Sequence, residues 1–175
     1  MTSIAAALGI VLLVGVVAFL AVTTFNSVVS LRQQIDKAWA NIDVALQQRH
    51  DELPRLVDAV QGVMAFERDT FTAVTAARAR YDRSAPIPAQ AETSQQTSAA
   101  VSGLLAVVER YPDLRSQQNV LDLQQEITRL ESVIADRREV YNDSVYRYNT
   151  RIRTFPTNVL TWAMGWQQRP LFSAP

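Results

Sequence analysis

The sequence predicts an all-α protein in which a single N-terminal transmembrane helix is followed by an antiparallel four-helix bundle. Three observations predict it. Residues 4–25 contain only Ala, Val, Leu, Ile, Gly and Phe besides Thr23 and Thr24. Beyond them, apolar side chains recur at alternating steps of three and four, the spacing that keeps one face of an α-helix apolar. No stretch shows the two-residue alternation of a half-buried strand.

Residues 1–3 form a short N-terminal tail, and the 22 residues that follow would span roughly 33 Å as a helix at ~1.5 Å per residue, enough to cross the hydrocarbon of a bilayer. No charged side chain precedes Arg32. A cleaved signal peptide needs a basic start, a shorter apolar run and a small-x-small cleavage site, and Met1-Thr2-Ser3 offers no basic group. With no cysteine, a lipoprotein signal is excluded too. The reading is an uncleaved anchor. Its flanking charges, Arg32, Lys37 and Arg49, all lie on the C-terminal side, which predicts a single-pass cell-membrane protein with its N-terminus outside and its bundle in the cytoplasm. Ala5 and Gly9 form a small-xxx-small pair, a weak hint of helix association.

The bundle is expected over residues 26–156. Its first helix, about 26–50, carries Val28, Leu31, Ile35, Ala38, Ile42 and Ala45, widened by Trp39 and Leu46. The segment His50-Asp51-Glu52-Leu53-Pro54 reads as a tight turn or sharp kink, because proline disfavours helical geometry in the residue before it. A second helix, about 53–81, carries Leu53, Val57, Val60, Met64, Phe71, Val74 and Tyr81. Residues 82–96, with Pro86, Pro88 and a run of Ala, Gln, Thr and Ser, read as the main loop. A third helix, about 97–110, carries Val101, Leu104, Leu105 and Val108 and is broken at Tyr111-Pro112-Asp113. The fourth, about 114–154, has Leu123, Ile127, Leu130, Ile134, Arg137, Tyr141, Val145, Tyr148 and Ile152 in a coiled-coil-like rhythm. Four helices with one apolar stripe each bury them most economically against one another. An even count returns the chain to its starting side, whereas a Pro54 that only kinks one very long helix leaves three helices and points the tail away from the membrane. The even count places Phe155, Pro156, Trp162 and Trp166, the latter two in the tail 157–175, near the bilayer, where tryptophan is favoured; packing of that tail on the bundle is the competing expectation.

Lys+Arg and Asp+Glu each number 17, so the chain is formally neutral and lacks the basic excess that nucleic acid requires. The locally basic run Arg137, Arg138, Arg147, Arg151 and Arg153 reads as a solvated helix face. Absence of cysteine removes thiolate nucleophiles and thiolate metal ligands. The one histidine, His50, lies beside Asp51 and Glu52 and reads as a solvated polar cluster. A di-iron centre needs two Glu-x-x-His pairs, which one histidine does not supply. No nucleophile with an activating base can be assembled. No enzymatic activity and no cofactor or metal are expected.

Two polar pairs stand out. Tyr141 and Tyr148 lie a heptad apart on the inward stripe, with Asn142 and Asn149 a heptad apart at its edge and Arg137 nearby. Buried amides and guanidinium groups need partners, and Asp43 or Asn26 on the facing helix are the expected ones. Together with Trp39 these residues form either a network that fixes helix register or a docking site; a ligand pocket lined by Trp39, Tyr141, Tyr148 and Asn149 is the further alternative.

The same residues resemble the LemA family over nearly the whole chain. The resemblance rests on Phe25-Asn26-Ser27, Ala38-Trp39 with Asn41-Ile42-Asp43-Val44, Arg49, Leu53-Pro54 with Leu56-Val57, and Ala76-Ala77-Arg78-Ala79. It continues through Leu104-Leu105-Ala106-Val107, Tyr111-Pro112-Asp113-Leu114, Leu123-Gln124 and, above all, Tyr141-Asn142-Asp143-Ser144-Val145 with Tyr148-Asn149 and Phe155-Pro156. Departures occur at His50, Arg55, Gln118 and Pro170-Leu171-Phe172. The resemblance implies a bacterial membrane protein with one N-terminal transmembrane helix, a cytoplasmic four-helix bundle and no established enzymatic activity. It implies an adaptor or scaffold that binds other membrane proteins, linked to membrane-protein quality control or stress response through a membrane zinc metalloprotease. A homo-oligomer is expected, and the alternative function is a sensor that binds a small ligand between bundle helices.

Overall fold

In the computed structural model the chain is described over residues 2–60 and 67–173, and these residues are mostly helical with no strand among them. The helices are α1 (Thr2–Ala59), α2 (Arg68–Ala79), α3 (Ile87–Arg110), the single turn α4 (Pro112–Arg115), α5 (Gln118–Arg153) and α6 (Thr157–Met164). The expected membrane segment and the first stripe are one helix, α1. Along it the environment changes at one place. Ile4, Val11, Leu13, Phe19 and Val22 are exposed, whereas Thr24 and Val28 are buried. The helix has the length and hydropathy to cross a membrane, and its apolar window is not buried inside the fold.

Of the turn or kink expected at residues 50–54, the turn does not occur. Pro54 lies inside α1, which continues to Ala59. A proline in a helix interior costs about 3 kcal/mol by losing one backbone hydrogen bond and crowding the preceding turn. Leu53, Leu56 and Val60 on the same stripe are fully buried, and burial of each such side chain is worth about 1.5–3 kcal/mol. The packing outweighs the proline. In consequence the expected helix over 53–81 is divided: its first part is the end of α1, and Phe71 and Val74 belong to α2. Met64 lies outside the described residues.

The loop expected over 82–96 is also shorter than the sequence suggested, because α3 starts at Ile87. Pro86 and Pro88 sit at the start of that helix, where a missing N–H costs nothing. Ahead of it, Asp82 Oδ1 accepts from the Ser84 backbone at 2.8 Å and from the Ser84 hydroxyl at 2.7 Å. These bonds hold the Asp82 carboxyl below its usual range. Gln90 then donates its amide back to the carbonyls of Arg83 (3.1 Å) and Ala85 (2.8 Å). The tail beyond Pro156 is likewise ordered: α6 ends at Gly165, whose φ of 63° is a left-handed conformation open to glycine.

The chain divides into two compact units, one made of Met1–Lys37 and Asp143–Arg169, the other of Ala38–Asn142 and Pro170–Pro175. In the first, Thr24, Val28, Ile35, Val145, Tyr148, Ile152 and Thr157 are buried. In the second, a core of Leu53, Leu56, Val60, Phe71, Val74, Val101, Leu104, Val108, Leu114, Val120 and Ile127 joins the end of α1 to α2, α3, α4 and the start of α5.

Candidate functional site

In the second unit the most buried charge is Arg49, only 3% exposed. It sits on the inward stripe of α1, one turn after Ala45 and Leu46 and one turn before Leu53. Its guanidinium donates to Glu131 Oε1 at 2.8 Å, Ser98 Oγ at 2.9 Å, Ser94 Oγ at 2.9 Å and the Ser94 carbonyl at 3.3 Å. The Ser98 hydroxyl in turn donates to Glu131 Oε2 at 2.6 Å. A planar guanidinium spreads its donors over several acceptors, so the charge is both paired and hydrogen-bonded, as burial requires. The network closes over itself. Beside it lies an open recess of about 240 Å³ bordered by Ser94, Ser98, Glu131, Arg138 and Phe172.

Tyr141 is fully buried in the same unit, and its hydroxyl donates to the Pro170 carbonyl at 2.9 Å. Asn142 grips Phe172 at both backbone groups: Oδ1 accepts from the Phe172 N–H at 2.8 Å, and Nδ2 donates to the Phe172 carbonyl at 3.3 Å. The ring of Trp39 packs between them, 5.7 Å from Tyr141 and 5.7 Å from Phe172. Asp43 does not serve the asparagine; it forms a two-point ion pair with Arg83. Arg137 reaches the Asn41 carbonyl at 2.6 Å. His50 stacks on Tyr81 at 4.6 Å, and its pKa is pushed down by partial burial first and by the Arg78 charge second, while Asp51 opposes. Asp51 accepts from Gln47 at 2.9 Å and Glu52 from Arg55 at 2.9 Å, so the three polar residues serve different neighbours.

The first unit repeats the tyrosine–asparagine chemistry. Tyr148 donates to the Gln167 carbonyl at 3.1 Å. Asn149 holds Arg169 at both backbone groups, accepting from its N–H and donating to its carbonyl, each at 2.9 Å. Asn26 is exposed and is not the partner of either asparagine. Trp166 lies 5.8 Å from Phe25, while Trp162 is 88% exposed, as are Phe155 (81%) and its neighbour Pro156. The tail residues therefore separate: Phe172 is buried, Trp166 half-buried and Trp162 in the open.

Sequence reasoning selected the two tyrosine–asparagine pairs but assigned them to a facing helix; their partners are carbonyl and amide groups of the chain's own C-terminal segment. Nothing in an extended segment read by its backbone stands out as a motif. Both tyrosine side chains are buried and both hydroxyls are taken by backbone carbonyls. Arg49 enters the sequence reading as a flanking charge and as a residue of the family resemblance, not as a buried ion-pair centre. Its place on the apolar stripe was the available signal. Among the described residues no cluster of His, Asp or Glu has metal-binding geometry.

A model of the LemA family matches residues 38–175. The chain belongs to the LemA family. Among LemA-family relatives, Protein LemA of Metamycoplasma hominis is 26% identical over 169 residues, an alignment covering 94% of this chain and 75% of that protein. Magnetosome proteins MamQ 1 and MamQ 2 of Paramagnetospirillum magneticum are each 24% identical over 194 residues, covering 95% of this chain and 71% of theirs. The matched LemA region holds Arg49, both tyrosine–asparagine pairs and the segment they grip, and it excludes the apolar start of α1.

Proposed function

We propose that this LemA-family chain is a membrane-anchored adaptor that works by association and not by bond chemistry. The observation that carries the reading is the continuity of α1: one helix passes from an exposed apolar segment that suits a bilayer into the stripe that packs the fold. The anchor runs by unbroken helix, with no intervening linker, into the buried stripe of its own unit at Thr24, Val28 and Ile35. Anchoring also confines copies to a surface and raises the effective concentration of weak binding sites, which favours homo-oligomers and multivalent contacts. The proposed orientation has the N-terminus outside and the helical body, working as an antiparallel four-helix bundle, in the cytoplasm. Other membrane proteins are the proposed partners. Family resemblance adds membrane-protein quality control or stress response as the setting and a membrane zinc metalloprotease as a candidate. The filled positions at Tyr141 and Tyr148 give no support to the ligand-sensor alternative.

Capture of the full-length chain from its own membrane, transmembrane helix intact, tests the reading. Recovery of defined membrane proteins is expected; recovery of the chain alone under every condition would overturn it. Protease treatment of intact cells tests orientation, with the helical body expected to resist digestion from outside.

A further inference from the structure

We propose that α6 is a second membrane contact, an interfacial helix that lies on an anionic phospholipid leaflet. This rests on the reading of α1 as the membrane span. Val159 and Trp162, three residues apart on one face of α6, are 60% and 88% exposed, and Phe155, in the turn just ahead of the helix, is 81% exposed. The opposite face is anchored to the fold: Thr157 is fully buried, and the Thr161 hydroxyl donates to the Ile152 carbonyl at 2.9 Å. Gly165 then turns the chain so that Trp166 meets Phe25, the last apolar residue of the span. The unpartnered face of α6 therefore belongs to the same unit as the point where α1 passes from exposed to buried. That continuity with an apolar helix surface selects a bilayer as its occupant.

Charge selects the kind of bilayer. The unit made of Met1–Lys37 and Asp143–Arg169 contains six basic side chains and two acidic ones, although the whole chain is neutral. Arg32, Lys37, Arg151 and Arg153 are exposed and form no ion pair among the described residues. An amphipathic helix with an exposed tryptophan and a basic surround is held by apolar insertion together with attraction to anionic headgroups. The basic excess is concentrated in the part of the chain that carries the span, as lipid phosphate requires.

The chain has no cysteine, so single thiols can be placed in the full-length protein. Val14→Cys and Ala163→Cys, each carrying an environment-sensitive fluorophore, would be reconstituted into vesicles of phosphatidylcholine alone or mixed with phosphatidylglycerol. The Val14→Cys probe should report hydrocarbon in both. The Ala163→Cys probe, on the exposed face beside Val159, should be shielded from an aqueous quencher, more strongly with phosphatidylglycerol, and Trp162→Ala in that background should abolish the shielding. Arg151→Gln with Arg153→Gln should weaken the phosphatidylglycerol-dependent equilibrium by roughly ten- to twenty-five-fold, each charge contributing a factor of roughly three to five. An Ala163→Cys probe open to the quencher on both vesicles, with Val14→Cys in hydrocarbon, overturns the interfacial helix and leaves the anchor standing. Both probes in water overturn both readings. Equal shielding on the two vesicles overturns the selection for anionic lipid, and shielding only in native membranes assigns the face to a protein and overturns the proposal.

Discussion

Asn149 holds Arg169 by both of its backbone groups, its side-chain amide oxygen accepting from the N–H and its nitrogen donating to the carbonyl, each at 2.9 Å. Such a clamp reads backbone and not side chain, so it fixes the path of an extended segment whatever its sequence. Replacing Asn149 by Ala removes two hydrogen bonds from a half-buried site, a loss of about 1–3 kcal/mol. The expected outcome is faster hydrogen exchange at the Arg169 amide. Asn149→Asp keeps the acceptor and loses the donor, so it should retain part of that protection. Equal protection in all three proteins would show that the clamp contributes nothing.

Arg49 and Glu131 make a second prediction. Arg49→Met leaves the Glu131 carboxylate and the Ser94 and Ser98 hydroxyls without their shared donor. Removing one partner of a buried pair costs about 3–5 kcal/mol; because the Glu131 side chain is 26% exposed and water can reach it, about 2–3 kcal/mol is expected here. Urea unfolding of the full chain reads this directly. Pairing the substitution with Glu131→Met should recover part of the loss, since no orphaned charge remains. A double variant no more stable than the single one would sink the idea that the ion pair dominates the site.

Why the sequence revealed some of this and not the rest follows from what a stripe count registers. On α1 and α5 most of the buried positions are Ile, Leu, Val and Tyr at helical spacing, and Ile35, Ile42, Ile127 and Ile134 are legible as core. The first half of α3 buries Gln90, Ala91, Ser94 and Thr97 instead. Their spacing is as helical as any, yet a search for apolar residues passes over them. Two of them serve polar partners elsewhere in the chain: Ser94 offers its hydroxyl and carbonyl to the Arg49 guanidinium, and Gln90 donates to the carbonyls of Arg83 and Ala85. A local break signal failed for a similar reason at Pro54, where tertiary burial overrode backbone preference.

Thr157 is fully buried, and its hydroxyl has no hydrogen-bond partner among the described residues. An unpaired buried hydroxyl forfeits its hydration without return. Thr157→Val preserves the branched shape and deletes the polar atom, so it should raise stability by about 1 kcal/mol. Thr157→Ala, which also opens a cavity, should not. Thermal unfolding of the two variants beside the parent distinguishes an orphaned hydroxyl from a satisfied one; a destabilised valine variant would mean the hydroxyl is bonded after all.

His50 gives the chain a pH dependence with a definite sign. Burial against Tyr81 and the Arg78 charge disfavour the imidazolium, and Asp51 only partly offsets them, so the folded-state pKa lies below the ordinary 6.5. The unfolded chain then binds the proton more readily than the folded one. The contribution of His50 to stability is accordingly full above the unfolded value of 6.5 and is lost as pH falls through the lower folded value. Since this is the only histidine, a single imidazole resonance in an NMR titration reports it without assignment. His50→Tyr retains an aromatic ring for the stack on Tyr81 and removes the titrating group, so its stability should change less between neutral and mildly acidic pH than that of the parent. A resonance titrating above 6.5 would reverse the sign and place Asp51, not burial, in control of this site.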